Sequence, residues 1–237
     1  MVTQFRKVAG MATMRSREHT APRALQSLLG QFDAIHLVLN GYTEVPAWAN
    51  LPGVNALPTG VSRDYGAAGK LLGLSLESHL NEVIYYSVDD DIQYPRNFAT
   101  RLAGLLEKRN GAMVGVHGSV ISQPFQSWQR DRKVFSVHRS LIKSRQVDVV
   151  ATCACAFLPG KLPVDPENWP DEYRNCVDLY FANLAAQHGI ERWIIARYKG
   201  WLKPIEISQA DSIFVRMHSD DSKHVALAKS LLSYSCA

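Results

Sequence analysis

Three consecutive aspartates, Asp89, Asp90 and Asp91, follow directly after an apolar, strand-like segment that runs from Val83 to Val88. Adjacent carboxylates repel one another, so three of them at the end of a buried strand lower stability unless a cation neutralises them. Side chains alternate along an extended segment, which puts Asp89 and Asp91 on one side and Asp90 on the other. The triplet therefore predicts a divalent-cation site; the competing interpretation is a solvated acidic turn.

The segments around the triplet alternate between strand and helix patterns. Strands are predicted over residues 5–13, 34–39, 54–57, 83–88, 112–116, 134–137, 147–152 and 193–196, and helices over 21–32, 67–80, 95–109, 175–188 and 221–232. This alternation predicts an α/β fold with a mostly parallel central sheet flanked by helices. Ligands of open α/β sheets bind beyond the carboxyl ends of the strands, which is where the triplet falls.

Composition is that of an ordinary globular protein. Hydrophobic residues make up 46% and charged residues 20% of the 237, which argues against disorder and coiled coil. No apolar run approaches the roughly 20 residues of a membrane span, and the first ten residues lack the pattern of a secretory signal. We therefore expect a cytoplasmic location and no transmembrane segment. The net charge of +4 comes from cations interspersed with acids, which argues against a nucleic-acid partner.

Two classes of enzyme place an Asp-x-Asp motif at a strand end. Phosphatases of the haloacid dehalogenase type use the first aspartate as a nucleophile, but their motif usually follows the first strand. Here the motif follows about the fourth predicted strand. That position is typical of nucleotide-sugar glycosyltransferases of the GT-A fold, whose motif ends a middle strand after a nucleotide-binding half.

Several stretches together resemble GT-A glycosyltransferases, most closely a bacterial family of polysaccharide-building enzymes. They are MATMRSRE (11–18), LVLNGY (37–42), DYGAAGK (64–70), YYSVDDDIQYP (85–95) and NCVDLYFANLAAQHGI (175–190). Their order and separations are similar to those of the family across nearly the whole chain. The resemblance implies one domain over residues 1–237, in which residues 1–110 bind a nucleotide sugar and residues 111–237 form the acceptor side.

The donor site implied by the resemblance is assembled from strand ends and a glycine-rich segment. In the loop after the first strand, an arginine can stack on a base or pair with a phosphate. Asn40 would read a base edge, unless it only forms the Asn-Gly turn. Lys70 would offer its charge to a diphosphate at a helix start. The full implied set is Thr13, Arg15, Arg17, Asn40, Asp64, Gly66, Lys70, Asp89 and Asp90.

The resemblance also implies a Mn²⁺ or Mg²⁺ cofactor. Asp91 would bind the ion, Asp89 would bind it or touch ribose or metal-bound water, and Asp90 would face hydroxyls of the donor sugar. Enzymes of this class often add a histidine ligand near the C-terminus. His218 is that candidate here, with His224 as the alternative.

Asp178 is the candidate catalytic residue. It lies in the first turn of the helix predicted over residues 175–188, where inverting enzymes of this class place the general base that deprotonates the acceptor hydroxyl. An acid there could instead serve only the helix dipole. Asp171 and Glu172, just upstream, are the fallback bases.

One stretch departs from the family pattern. A Gly-Thr-Gly common before the acceptor side is replaced here by Ala151-Thr152-Cys153-Ala154-Cys155. The side chains stay small but the backbone is less free, which leaves the donor sugar open.

The implied activity is metal-dependent, inverting transfer of a hexose in polysaccharide biosynthesis. The donor would be a nucleotide-diphosphate sugar, with UDP favoured, and the acceptor a hydroxyl of a glycan or lipid-linked glycan. Peripheral association with the inner face of the membrane would accompany it. Two alternatives stay open: a metal-dependent phosphohydrolase with Asp89 as nucleophile, and a non-catalytic nucleotide- or sugar-binding scaffold.

Overall fold

The structure is a computed structural model that describes residues 5–61, 64–170, 173, 176–205 and 221–234. Its helices are α1 (Ala21–Leu28), α2 (Phe98–Lys108), α3 (Val177–Gln187) and α4 (Ser222–Tyr234), with 3₁₀ turns over Arg15–Arg17, Ala47–Ala49, Gly66–Leu76 and Leu80–Glu82. Its strands are β1 (Arg6–Met14), β2 (Ala34–Asn40), β3 (Val54–Pro58), β4 (Val83–Val88), β5 (Ile92–Gln93), β6 (Met113–Gly115), β7 (Gly118–Ile121), β8 (Arg132–Phe135), β9 (Arg145–Gln146), β10 (Val149–Val150), β11 (Ala154–Phe157), β12 (Arg192–Ile194) and β13 (Lys203–Pro204). In these ranges none of the helices has both the length and the apolar character that a bilayer crossing requires.

An eight-stranded sheet in the order β3-β2-β1-β4-β11-β6-β12-β9 forms the centre of the molecule. The first four strands in that order are mutually parallel. Every residue of β2 and β4 is buried, as expected for parallel strands covered on both faces. The α/β class predicted from the alternating pattern is confirmed, and strands on both sides of residue 110 contribute to this one sheet.

The sheet is mixed. Six of its eight strands run in the same direction, in agreement with the predicted mostly parallel sheet, but β11 enters its centre in the opposite direction and β9 is also reversed at its edge. Strand β11 pairs antiparallel with both β4 and β6. The apolar residues from 147 to 157 suggested a single strand ending near 152, but they form β10 in a separate three-stranded sheet and then β11. An apolar run carries no information on strand direction, so the reversed direction of β11 was not predicted.

Helices and 3₁₀ turns cover the two faces of the sheet. On one face, Leu25 of α1 and Leu102 of α2 pack with Tyr86 of β4. On the other, Leu71 and the α3 residue Phe181 pack with the alternate side chains of β4. The result is a three-layer arrangement, and the carboxyl ends of β1, β2 and β4 lie together at one edge of the sheet.

The segment predicted as a helix over residues 67–80 consists instead of 3₁₀ turns over Gly66–Leu76. Its glycines lie directly against the strands beneath: a Cβ on Gly73 would be 2.5 Å from the Cβ of His36. The carbonyl of Lys70 accepts a hydrogen bond of 2.7 Å from the Tyr85 hydroxyl. Close backbone approach to β1 and β2 therefore replaces the regular α-helical repeat that the apolar spacing favoured.

Candidate functional site at the carboxyl edge of the sheet

The aspartate triplet begins where β4 ends, at the carboxyl edge of the central sheet. Met11 of β1 pairs with Val88 of β4, so Thr13, two residues further along β1, lies level with Asp90. Asn40 ends β2 opposite Met14 at the same edge. Parallel strands thus bring together side chains that are far apart in the sequence, as the predicted donor site requires.

Asp89 forms an ion pair with a buried lysine. The Nζ atom of Lys70 lies 2.5 Å from Oδ1 of Asp89 and 3.4 Å from the carbonyl oxygen of Thr152. The Lys70 side chain is only 5% exposed, whereas that of Asp89 is 35% exposed. Burial acts to lower the pKa of Lys70, but the charges of Asp89 and Asp178 outweigh it and raise that pKa above its ordinary value. The ammonium therefore stays charged and neutralises one of the three acids.

Asp90 occupies the most enclosed position of the triplet. Burial raises the pKa of Asp90 to about 7. The Thr13 hydroxyl opposes this shift, the charges of Asp89 and Asp91 add to it, and Arg17 opposes it. The repulsion expected among adjacent carboxylates is thus present, and a further cation at this edge would favour the ionised form.

Tyr94 holds the backbone of the triplet. Its buried hydroxyl accepts a hydrogen bond from the Asp89 N–H at 2.8 Å and donates to the carbonyl oxygen of Cys153 at 2.7 Å. The same Asp89 N–H lies 3.2 Å from the Cys153 carbonyl. The motif DDDIQYP contains this tyrosine six residues after the end of β4, but the motif alone did not predict that its hydroxyl binds the Asp89 backbone.

Thr152 joins the triplet to Asp178. Its backbone N–H and its hydroxyl both donate to Oδ1 of Asp178 at 2.8 Å, and its carbonyl accepts from the Ser87 hydroxyl at 2.7 Å. The same carbonyl faces the Lys70 ammonium. Within the described part of the chain, Oδ2 of Asp178 makes no hydrogen bond or ion pair. Asp178 therefore has one oxygen fixed and the other available, and Thr152 contacts both Asp178 and Lys70.

Basic side chains surround Asp178. Burial lowers the pKa of His117 to about 4, and Asp178 acts in the opposite direction while Arg132 and Arg197 add to the decrease. Burial likewise lowers the pKa of Arg132, which Asp178 also opposes. The guanidinium of Arg132 lies 4.2 Å from the ring centre of Trp128. His117 and Arg132 belong to no recognisable sequence motif, so they were not predicted as residues of the site.

Of the two histidines proposed as metal ligands, the structure describes only His224. His218 lies outside the described residues, as do the fallback bases Asp171 and Glu172. The ring of His224 stacks on Trp128 with centres 6.0 Å apart, and its Nε2 lies 3.5 Å from Sγ of Cys176. His224 therefore packs beside the start of α3, on the Asp178 side of the site.

Asn40 and Asp64, which were also predicted to bind the nucleotide sugar, form hydrogen bonds with the backbone. Oδ1 of Asn40 accepts from the N–H of Tyr65 at 3.1 Å, and Nδ2 donates to the Gly66 carbonyl at 3.4 Å. Oδ1 of Asp64 accepts from the Gly66 N–H at 2.7 Å. Asn40 and Asp64 thus fasten the turn that begins the 3₁₀ segment, where Gly66 has a φ of 53°.

The loop after β1 contains both predicted arginines. Nε of Arg15 donates to the Gly41 carbonyl at 3.1 Å, and its guanidinium lies 4.9 Å from the ring centre of Tyr42. Arg17 is near enough to Asp90 to lower the pKa of that carboxyl. The loop therefore lies over the same edge as the triplet, with one arginine facing an aromatic ring and the other an acid.

Among the residues that the structure describes, no three His, Cys, Asp or Glu side chains are grouped to hold a metal ion. The carboxylates present are nevertheless sufficient for Mg²⁺, because this ion is commonly held by only one or two carboxylates together with substrate phosphates. Asp89, with one oxygen turned to Lys70, and Asp91 supply oxygen ligands of that kind.

Comparison of the chain with protein-family models and with curated proteins found no match in either. The functional assignment therefore rests on the geometry of the site together with the motifs.

Proposed function

We propose that this chain is a GT-A-like glycosyltransferase that moves a sugar from a nucleotide-diphosphate donor to a hydroxyl acceptor. The observation that carries the proposal is the arrangement around Thr152. Its carbonyl oxygen faces the buried Lys70 ammonium, which pairs with Asp89, and its N–H and hydroxyl bind Oδ1 of Asp178, whose Oδ2 is available. Transfer between two substrates needs a charge-stabilising group and a proton acceptor close together, and this arrangement supports that pairing.

The donor side would bind the diphosphate. The Lys70 ammonium offers fixed positive charge for the leaving diphosphate, and Arg15 and Arg17 add charge from the loop after β1. Asp91 and Asp89 would hold Mn²⁺ or Mg²⁺, which when bound supplies further neutralisation of the leaving group. A UDP-sugar is the donor that we favour.

The acceptor side would place a hydroxyl against Asp178. Oδ1 is held by Thr152, so Oδ2 keeps a fixed direction and accepts the proton as the hydroxyl oxygen attacks the anomeric carbon. Attack assisted by a base on the acceptor side predicts inversion of the anomeric centre. The acceptor would be a glycan or lipid-linked glycan of polysaccharide biosynthesis, handled in the cytoplasm.

Calorimetry with UDP, GDP, CDP and their sugars, with and without Mn²⁺, tests the donor side. We expect one nucleotide series to bind more tightly with Mn²⁺, and the metal dependence to disappear in Asp91→Asn. Binding indifferent to nucleotide and metal would contradict the donor-site assignment. Release of phosphate from simple esters with a trapped aspartyl-phosphate at Asp89 would favour a phosphohydrolase instead.

Turnover of the donor identified in this way tests the acceptor side. Asp178→Asn should retain donor binding and lose about 10²–10⁴-fold in rate, the usual contribution of a general base. Asp165→Asn is the matched control, since Asp165 is an exposed aspartate whose side chain accepts hydrogen bonds from the N–H groups of Glu167 and Asn168 and from the Asn168 side chain, all in one surface turn. Retention of the anomeric configuration in the product, measured by NMR, would remove Asp178 from this role. Donor binding without turnover by the parent chain would indicate the scaffold function.

A further inference from the structure

Two stretches of the chain contain basic residues and no acid. Residues 132–147 and 192–205 include neither Asp nor Glu. Their cations are Arg132, Lys133, Arg139, Lys143, Arg145, Arg192, Arg197, Lys199 and Lys203. The net charge of the whole chain is only +4 because acids elsewhere offset these cations, so the local excess of positive charge is not evident from composition.

The fold brings these two stretches together. Strands β9 and β12 pair antiparallel, and Leu141 and Arg197 exchange two backbone hydrogen bonds of 2.8 Å. The guanidinium of Arg197 donates to the carbonyls of Phe135 and Ser136 at 3.1 and 2.6 Å. Arg145 lies 4.2 Å from the ring centre of Phe135. One continuous surface therefore carries charges from both stretches.

We call this surface the basic face and define it by its exposed cations, Lys133, Arg139, Lys143, Arg145 and Lys199. Among the described residues none of these five forms an ion pair with a carboxylate. Lys133 Nζ lies 5.6 Å from the same Phe135 ring that Arg145 covers, so like charges are held close together. Unpaired like charges at such spacing attract a polyanion.

Two large apolar side chains project from the basic face. Ile142 is 92% exposed and Tyr198 is 65% exposed. Each is next in sequence to one member of the Leu141–Arg197 bridge. Ile142 also directly precedes Lys143 in the chain, and Tyr198 directly precedes Lys199. An aliphatic and an aromatic group thus stand out beside the cations.

We propose that the basic face docks the protein onto a membrane surface rich in anionic lipids. Each Lys or Arg close to such a surface strengthens binding about fivefold, and an exposed apolar side chain adds insertion between the headgroups. A nucleic acid would bind the same cations and stack a base on Tyr198, but it offers the aliphatic Ile142 much less apolar surface than a bilayer does, so the bilayer fits the face better. This inference is independent of the proposed transferase activity.

Co-sedimentation of the full chain with lipid vesicles tests the inference. One set of vesicles is pure phosphatidylcholine, and in the other about a third of it is replaced by phosphatidylserine. Lys143→Gln/Arg145→Gln should weaken binding to the anionic vesicles about 25-fold. The matched control, Lys108→Gln/Lys229→Gln, removes the same charge from exposed positions on α2 and α4 and should change binding less than about twofold.

The apolar contribution has its own matched pair. Ile142→Ser should weaken vesicle binding several-fold, whereas Val61→Ser, at a position 82% exposed elsewhere on the surface, should leave it unchanged. Thermal melts check that all variants fold. Equal binding to both vesicle types, equal losses in the two charge variants, or vesicle binding that Ile142→Ser leaves unchanged would each overturn the proposal. So would capture of a polyuridine oligonucleotide as tightly as the anionic vesicles.

Discussion

Neutralising the two members of the Lys70–Asp89 ion pair should have unequal costs. Lys70→Met keeps the length of the side chain and removes the ammonium, and Asp89→Asn keeps the shape and removes the carboxylate charge. The pair is close, with 2.5 Å between Nζ and Oδ1, but the lysine is 5% exposed and the aspartate 35% exposed. The charge left behind in each variant therefore meets a different environment.

The magnitudes follow from that difference. Asp89→Asn removes the carboxylate charge beside the buried ammonium and leaves it neutral oxygen partners, the amide oxygen of the substituted side chain and the Thr152 carbonyl at 3.4 Å. An uncompensated buried charge costs about 3 kcal/mol or more. Lys70→Met leaves a carboxylate that water reaches, so we expect a loss of about 1 kcal/mol. The double variant should lose less than the sum, with a coupling energy of about 2 kcal/mol.

Urea unfolding near neutral pH, followed by two spectroscopic probes, measures the three free energies of unfolding. Lys161→Met is the matched control, because Lys161 is an exposed lysine whose Nζ binds a carbonyl, that of Asn110. It should cost less than about 1 kcal/mol. A Lys70→Met loss equal to that of Asp89→Asn, or a coupling energy below about 0.5 kcal/mol, would refute the reasoning.

Two further predictions concern the packing beneath the site. Burial lowers the pKa of His117 from 6.5 to about 4, so the unfolded chain binds a proton on this ring more readily than the folded chain does. The stability contributed by the neutral ring is therefore complete above pH 6.5 and is lost as the pH falls toward 4. Between pH 6.5 and 4 the parent should therefore lose about 2 kcal/mol more free energy of unfolding than His117→Gln does, a figure that allows for partial exposure of the ring. If the two proteins lost the same amount over that range, the reasoning would be wrong. Gly10→Ala should destabilise by about 2 kcal/mol or more, because a Cβ there would lie 1.9 Å from the carbonyl oxygen of Lys70. Gly104→Ala, in α2 with open space around the new Cβ, should stabilise by about 0.5–1 kcal/mol, and equal effects in the two glycine variants, measured by thermal unfolding, would be inconsistent with the packing described.

Features set by local pattern were predictable from the sequence. The apolar runs of β1, β2 and β4 predicted strands, and their parallel direction placed Asp89 at the carboxyl edge. Asp178 in the first turn of α3 was likewise predictable from the helix pattern. These features depend on residues close together in the chain, which is the information that periodicity contains.

Features set by contacts across the sheet were not predictable. The direction of β11 depends on pairing with β4 and β6, and the path of residues 66–76 depends on how closely they approach β1. The role of Thr152 depends on α3 returning to the loop before β11. The basic face likewise joins stretches about fifty residues apart, and the net charge of the whole chain does not reveal it.

Because a single threonine contacts both Lys70 and Asp178, the two ends of the site are energetically coupled. A ligand that draws the ammonium away from the Thr152 carbonyl alters the support of Asp178 through the same residue. Linkage then requires that a molecule bound at Asp178 change the first ligand's affinity by the same factor. Synergism between two ligands, rather than independent saturation, is the binding behaviour expected of a site built around Thr152.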